Sequence, residues 1–260
     1  MPRRIILHAG FHKTGTKTLQ RMLRSHRDLL SPTITVVLVE DMKQLCAATR
    51  QLCSADDPLD FSQVTQEATR LAQTWLDFEG TILISGEDLA GMIPGRKGAP
   101  DYSASPQILR AITDAFSAVL PDAALGIFFT TRAAAPWLNS CYAQHLQSVR
   151  MKLSVTEYAQ AFASSADLNA AVDAVARALP NVDVHRIALE ACADRRLGTL
   201  DALLDIAKCP STIRNAIQQS PPSNVSPQPK VLADLLEINR SDMCDGDAEF
   251  ARGLQRKAAR

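Results

Sequence analysis

The residues best suited to chemistry lie near the start of the chain, where a short apolar run meets a loop of glycine, threonine and lysine. The loop reads Gly10-Phe-His-Lys-Thr-Gly-Thr-Lys-Thr18 and leads into a segment with apolar residues at helical spacing (Leu19, Met22, Leu23). Glycines permit a tight turn, and the first turn of a helix offers unpaired N–H groups at the positive end of its dipole. These features predict a binding site for an oxyanion, and a nucleotide phosphate is the expected ligand.

Several loop residues are candidates for holding that phosphate, through charge, hydroxyl groups or close backbone approach. They are Lys13, Thr14, Gly15, Thr16, Lys17 and Thr18. A lysine is disfavoured by the dipole at a helix start, so a functional role for Lys13 is favoured over a solvated one. Lys17 could contact the phosphate or point outward.

The spacing of the loop separates it from the phosphate loop of NTPases. That loop requires Gly-x-x-x-x-Gly-Lys-Ser/Thr, with the lysine six positions after the first glycine. Here Lys17 lies seven positions after Gly10, and Thr16 separates it from Gly15. The NTPase pattern therefore fails by one residue.

The loop instead resembles the 5′-phosphosulfate loop of bacterial sulfotransferases that use 3′-phosphoadenosine 5′-phosphosulfate (PAPS). Members of that family commonly read Gly-Phe-His-Lys-Thr-Gly-Thr-Thr followed by Leu-Gln. Gly10 to Thr16 match this pattern, and Lys17 replaces a threonine. The resemblance implies PAPS as co-substrate, no metal, and Lys13 as the group that stabilises charge on the departing phosphate.

A second segment strengthens the resemblance. Sulfotransferases bind the 3′-phosphate of PAPS with an arginine at the end of a central strand and a serine eight residues later on the next helix. Arg132 follows the apolar run 124–130, and Ser140 lies eight positions further on. A guanidinium group can form paired hydrogen bonds to phosphate oxygens, and a hydroxyl can donate another.

An acceptor hydroxyl must lose a proton as it attacks sulfur, so a base is also expected. Glu87 follows the apolar run 81–85, and strand ends are where ligands bind in open α/β sheets. Glu87 or Asp88 could instead cap the following turn. His12, within the loop, is the rival base, whereas His8 reads as a core histidine and His145 as a weak candidate.

Composition limits the broad class of protein. The chain has 260 residues, is 46% hydrophobic and has zero formal net charge, which argues against bulk nucleic-acid binding. Its six cysteines lack zinc-site spacing, and no apolar stretch approaches the roughly 20 residues that span a bilayer. We therefore expect a soluble cytoplasmic protein without a structural metal.

Apolar strands separated by long helical segments predict one α/β domain over 1–260 with a mostly parallel sheet of about five strands. The resemblance to sulfotransferases implies a three-layer, P-loop-like fold. The predicted strands are 4–9, 34–39, 81–85, 124–130 and 182–187. The predicted helices are 16–30, 41–53, 61–78, 105–119, 135–149, 155–164, 167–179, 197–208, 230–239 and 246–258. The Gly/Pro-rich segments 91–106 and 218–229 are interpreted either as lids or as plain connections.

The leading hypothesis is transfer of the PAPS sulfuryl group to a hydroxyl or amine. The acceptor class stays open among small molecules, glycans and lipids, and so does the oligomeric state. A P-loop kinase using Lys17 and Mg²⁺ is the alternative enzyme, and a non-catalytic nucleotide-binding module is the alternative of another class.

Overall fold

The computed structural model describes residues 3–53, 60–219 and 227–258. They fall into two compact units. The first comprises the described residues within 1–132 and 167–223, and the second those within 133–166 and 224–260. A single domain over 1–260 stays a prediction. Most of the irregular segment 218–229 lies outside the described residues.

Helices and strands alternate along the chain as predicted. The strands are β1 (Arg4–His8), β2 (Ile34–Leu38), β3 (Thr81–Ser85), β4 (Ala124–Thr131) and β5 (Asp183–Ala188). The helices within the described residues are α1 (Thr16–Ser25), α2 (Arg27–Leu30), α3 (Lys43–Leu52), α4 (Ser62–Gln73), α5 (Ser105–Val119), α6 (Ala134–Ser148), α7 (Val155–Ala161), α8 (Leu168–Ala178), α9 (Thr199–Ile206), α10 (Ser211–Ala216), α11 (Pro229–Arg240) and α12 (Asp245–Ala258).

The first unit contains a five-stranded sheet in the order β2-β3-β1-β4-β5, and every pairing among the described strands is parallel. β1 lies in the centre, with Ile6 level with Leu83 of β3 and Gly126 of β4. Parallel pairing brings the carboxyl ends of β3, β1 and β4 side by side at one edge of the sheet. The predicted α/β class with a largely parallel sheet is confirmed.

Apolar side chains on the sheet explain why helices cover it. In one core cluster, α1 and α9 pack through Leu19, Leu23 and Leu203 against sheet residues that include Leu83 and Phe128. The helices α3, α4, α5 and α8 form a second contacting series, in which α4 and α8 both pack on α5. Burial of apolar surface on this scale is the main force that holds helices to a parallel sheet.

Apart from shifts at element ends, such as α4 ending at Gln73 rather than 78, three features differ from the sequence-based predictions. The predicted helix 16–30 is broken at His26, whose backbone is not helical and whose ring nitrogen lies 2.9 Å from the carbonyl oxygen of Met22. The short helix α10 was missed. β5 was expected to be buried on both faces, but it is an edge strand with half-buried or exposed residues throughout.

The second unit consists of α6, α7, α11 and α12. Its polar core contacts include a 2.9 Å hydrogen bond between His145 Nδ1 and the Tyr158 hydroxyl. Arg252 donates to Asn239 Oδ1 at 2.8 Å, and Asn239 donates to the carbonyl of Leu146 at 3.2 Å. His145 is therefore a buried core histidine rather than a surface one.

No helix in the part of the chain that the structure describes combines the length and the apolar character needed to cross a membrane.

Candidate functional site

Three segments that the sequence singled out meet at one edge of the sheet in the first unit. The glycine- and lysine-rich loop joins β1 to α1, Glu87 follows β3, and Arg132 follows β4. Because β3 and β4 flank β1 and all three run parallel, the three segments begin side by side at the carboxyl ends of these strands. Ligands of open α/β sheets bind at this edge.

The backbone of the loop is shaped by two left-handed residues. Gly15 has φ 93° and precedes α1, and Lys13 has φ 66°, a region that residues other than glycine rarely adopt. No side chain caps the start of α1. The first N–H groups of the helix therefore face the loop without a capping side chain, as a phosphate site requires.

Two threonines of the loop form hydrogen bonds within the loop. Thr14 Oγ1 donates to the carbonyl of Phe11 at 2.6 Å, and Thr16 Oγ1 does so more weakly at 3.4 Å. Both threonines are buried, whereas Thr18 is half-buried and Lys17 is exposed. Thr14 and Thr16 thus hold the shape of the loop, and direct bonds from their hydroxyls to a phosphate stay a prediction.

Arg132 reaches the loop from the end of β4. Its Nη1 donates to the carbonyl oxygen of Lys13 at 3.2 Å, and its side chain is half-buried. This contact brings the second predicted anion-binding group to the first. Ser140 belongs to α6 in the second unit, where it is nearly buried, and its role as a 3′-phosphate ligand stays a prediction.

The two carboxylates after β3 have different surroundings. Asp88 lies 2.5 Å from Arg50 Nη1 and 3.7 Å from His12 Nε2. Burial alone would raise the pKa of the Asp88 carboxyl, but His12 and Arg50 hold it below its ordinary value. The Glu87 carboxylate is half-buried and forms no hydrogen bond or ion pair with another described residue. The Glu87 carboxylate is therefore available to a ligand, whereas the Asp88 carboxylate is already paired with Arg50 and His12.

His12 has a protein partner at each ring nitrogen. The Tyr102 hydroxyl lies 3.3 Å from Nδ1 and accepts the His12 backbone N–H at 3.2 Å. Its Nε2 lies 3.7 Å from the Asp88 carboxylate, longer than a hydrogen bond. Because a protein group lies close to each ring nitrogen, His12 is a weaker candidate base than Glu87.

His8 lies beneath the loop, at the end of β1. It is fully buried, and its Nδ1 is 2.8 Å from Ser85 Oγ on β3. Burial lowers the pKa of its imidazole to about 3, so His8 is neutral at physiological pH. Its Nε2 has no hydrogen-bond partner among the described residues, and a Cβ at Gly10 would lie 2.6 Å from that atom. His8 is thus a core residue, as predicted, and the close packing requires glycine at position 10.

Two residues at the loop were not identified from the sequence. Tyr102 comes from the segment 91–106, and Leu189 follows β5, where a Cβ on Gly15 would approach its side chain to 3.1 Å. The segment 91–106 is well packed, since Met92, Ile93 and Tyr102 are buried. Apolar residues within a Gly/Pro-rich stretch were the available signal that this connection packs inward.

No group of three or more His, Cys, Asp or Glu side chains suited to a metal ion occurs among the residues that the structure describes. Cys46, Cys141, Cys192 and Cys209 are buried and Cys244 is exposed, all as free thiols.

The chain matches no protein-family model, and no curated protein matches it significantly.

Proposed function

We propose that this protein is a sulfotransferase that moves the sulfuryl group of PAPS to a hydroxyl or amine acceptor. The hydrogen bond from Arg132 to the Lys13 carbonyl supports this most, because it joins two segments 119 positions apart that each resemble a PAPS-binding motif. Lys13 to Thr18 would bind the 5′-phosphosulfate and Arg132 the 3′-phosphate, and the sequence resemblance alone assigns Ser140 to the 3′-phosphate.

In the proposed reaction, the acceptor oxygen attacks sulfur in line with the bond to the departing phosphate. Glu87 takes the acceptor proton, and the S–O bond to adenosine 3′,5′-bisphosphate breaks. Lys13 and the loop N–H groups stabilise the negative charge that develops on the leaving phosphate oxygen. The half-buried position of Glu87 and its lack of a partner among the described residues support its role as the base.

The kinase alternative has less support. It requires an acidic residue at the end of a second core strand that can bind Mg²⁺. Glu87 and Asp88 both have the right place for this; the Asp88 carboxylate is already paired with Arg50 and His12, whereas that of Glu87 is available. The one-residue departure of the loop from the NTPase spacing is therefore what disfavours the kinase.

On this proposal the enzyme acts in the cytoplasm on a small molecule, a glycan or a lipid. Acceptor-binding loops vary independently of the fold, so the site itself favours none of these classes.

The 3′-phosphate site is tested by replacing Arg132 with alanine. We expect affinity for adenosine 3′,5′-bisphosphate, measured by calorimetry in EDTA, to fall about 10- to 150-fold, the range of a charge-assisted hydrogen bond. AMP lacks the 3′-phosphate, so its affinity should barely change. Ser140→Ala should reduce bisphosphate affinity less than Arg132→Ala.

Arg186 offers a matched control on the neighbouring strand β5, where it pairs with Asp173 at 2.6 Å. Arg186→Ala should leave both nucleotide affinities unchanged. An undiminished preference for the bisphosphate over AMP in Arg132→Ala would remove the main support for this function.

A further inference from the structure

The hydroxyl of Tyr102 contacts the loop after β1 at two atoms of one residue. It accepts the backbone N–H of His12 at 3.2 Å and lies 3.3 Å from Nδ1 of the same histidine. A tyrosine oxygen can accept one hydrogen bond while donating another, so both contacts can exist together. They fix the main chain and the ring of His12 at once.

The ring of Tyr102 adds a packed contact to the same loop. Its centroid lies 4.5 Å from that of Phe11, and both side chains are buried. The tyrosine is held in place in turn, because the Ser105 amide donates to its carbonyl at 3.0 Å at the start of α5. The connection between β3 and α5 therefore supports the loop through a fixed aromatic residue.

What this contact stabilises is an unfavourable backbone conformation. Lys13 directly follows His12 and has φ 66°, which a residue with a Cβ adopts only when its surroundings hold it there. On the other side, Arg132 donates to the Lys13 carbonyl. The left-handed turn is thus held at His12 by Tyr102 and at Lys13 by Arg132.

We propose that Tyr102 is a positioning residue of the phosphate-binding loop, which keeps His12 and Lys13 in the conformation that binds the anion. The nature of the anion rests on the proposed function, whereas the contact itself does not. If the loop adopts the binding conformation for only a fraction of the time, its apparent affinity for the ligand is the intrinsic affinity multiplied by that fraction.

The test uses Tyr102→Phe, which keeps the ring on Phe11 and removes only the hydroxyl. In the free protein we expect amide hydrogen exchange of the loop 10–16 to become about 5- to 30-fold faster, the range for one or two neutral hydrogen bonds. Affinity for adenosine 3′,5′-bisphosphate should also fall, but by less than exchange rises, because exchange scales with the open fraction of the loop and affinity with the fraction that stays in the binding conformation. The KM for PAPS should rise more than kcat falls.

Tyr158→Phe is the matched control, since it removes a tyrosine hydroxyl that lies 2.9 Å from the Nδ1 of His145 in the second unit. It should lower thermal stability by a comparable amount and leave loop exchange and nucleotide affinity unchanged. Loop exchange that stays at the wild-type rate in Tyr102→Phe would overturn the proposal. So would faster exchange with undiminished bisphosphate affinity. If exchange rises but the wild-type protein binds no bisphosphate, Tyr102 still positions the loop and the proposed sulfotransferase function fails.

Discussion

Replacing Glu87 with glutamine is expected to lower turnover about 10²- to 10⁴-fold, the usual contribution of a general base. Glutamine keeps the shape of the side chain and cannot accept the acceptor proton. Because no described residue pairs with the Glu87 carboxylate, the substitution breaks no contact that the structure shows. Nucleotide affinity should therefore stay near the wild-type value, measured by calorimetry beside the steady-state rate.

Glu190 provides a matched control, since it begins the 3₁₀ turn after β5 as Glu87 begins the one after β3. Glu190→Gln should retain normal turnover. His12→Asn removes the rival base. If Glu87 is the base, this variant should mainly weaken nucleotide binding, because His12 belongs to the phosphate-binding loop. Near-normal turnover in Glu87→Gln, together with collapse of turnover in His12→Asn, would transfer the role of base to His12.

Lys13→Ala is expected to lower turnover about 10²- to 10³-fold, the scale observed when one group that stabilises developing charge is removed. If the lysine acts mainly in the transition state, the loss in nucleotide affinity should be smaller than the loss in kcat. Equal losses in affinity and in turnover would make Lys13 a binding group only.

Two further variants test the lysines of the loop. Lys13→Gly also removes the ammonium group but accepts φ 66° without steric cost, so its turnover should be as low as that of Lys13→Ala. Since lysine and alanine both carry a Cβ, backbone strain is the same in wild type and in Lys13→Ala, and recovery of activity in Lys13→Gly would show that the ammonium group is not required. Lys17 is exposed and forms no hydrogen bond or ion pair with another described residue. If Lys17 contacts the 5′-phosphosulfate, Lys17→Ala should weaken nucleotide affinity, whereas unchanged affinity and turnover would show that it points outward.

Much of the fold could be predicted because it depends on local patterns. Runs such as Ile82-Leu-Ile84 are apolar without alternation, and this is typical of a strand covered on both faces. The failures have identifiable causes. β5 lies at the sheet edge, which its short apolar run did not reveal, and the helix break at His26 depends on a side-chain contact to Met22.

The candidate site was predictable only in part. Glycine and lysine spacing located the loop, and strand ends located Glu87 and Arg132. The different surroundings of Glu87 and Asp88 could not be predicted, because Arg50 lies 38 positions before its partner Asp88. Tyr102 likewise reaches His12 across 90 positions of sequence. Contacts over such separations depend on strand order, which local periodicity does not specify.

The most direct test of the proposed function is sulfuryl transfer in EDTA. The wild-type protein would be incubated with PAPS and a pool of hydroxylated metabolites, and the products analysed by mass spectrometry. We expect adenosine 3′,5′-bisphosphate to accumulate together with an acceptor heavier by one sulfuryl group, and both to form about 10²- to 10⁴-fold more slowly in Glu87→Gln. Persistent bisphosphate binding without transfer to any acceptor would favour a non-catalytic nucleotide-binding module. PAPS left intact, with ATP and Mg²⁺ giving a phosphorylated product instead, would contradict the sulfotransferase assignment.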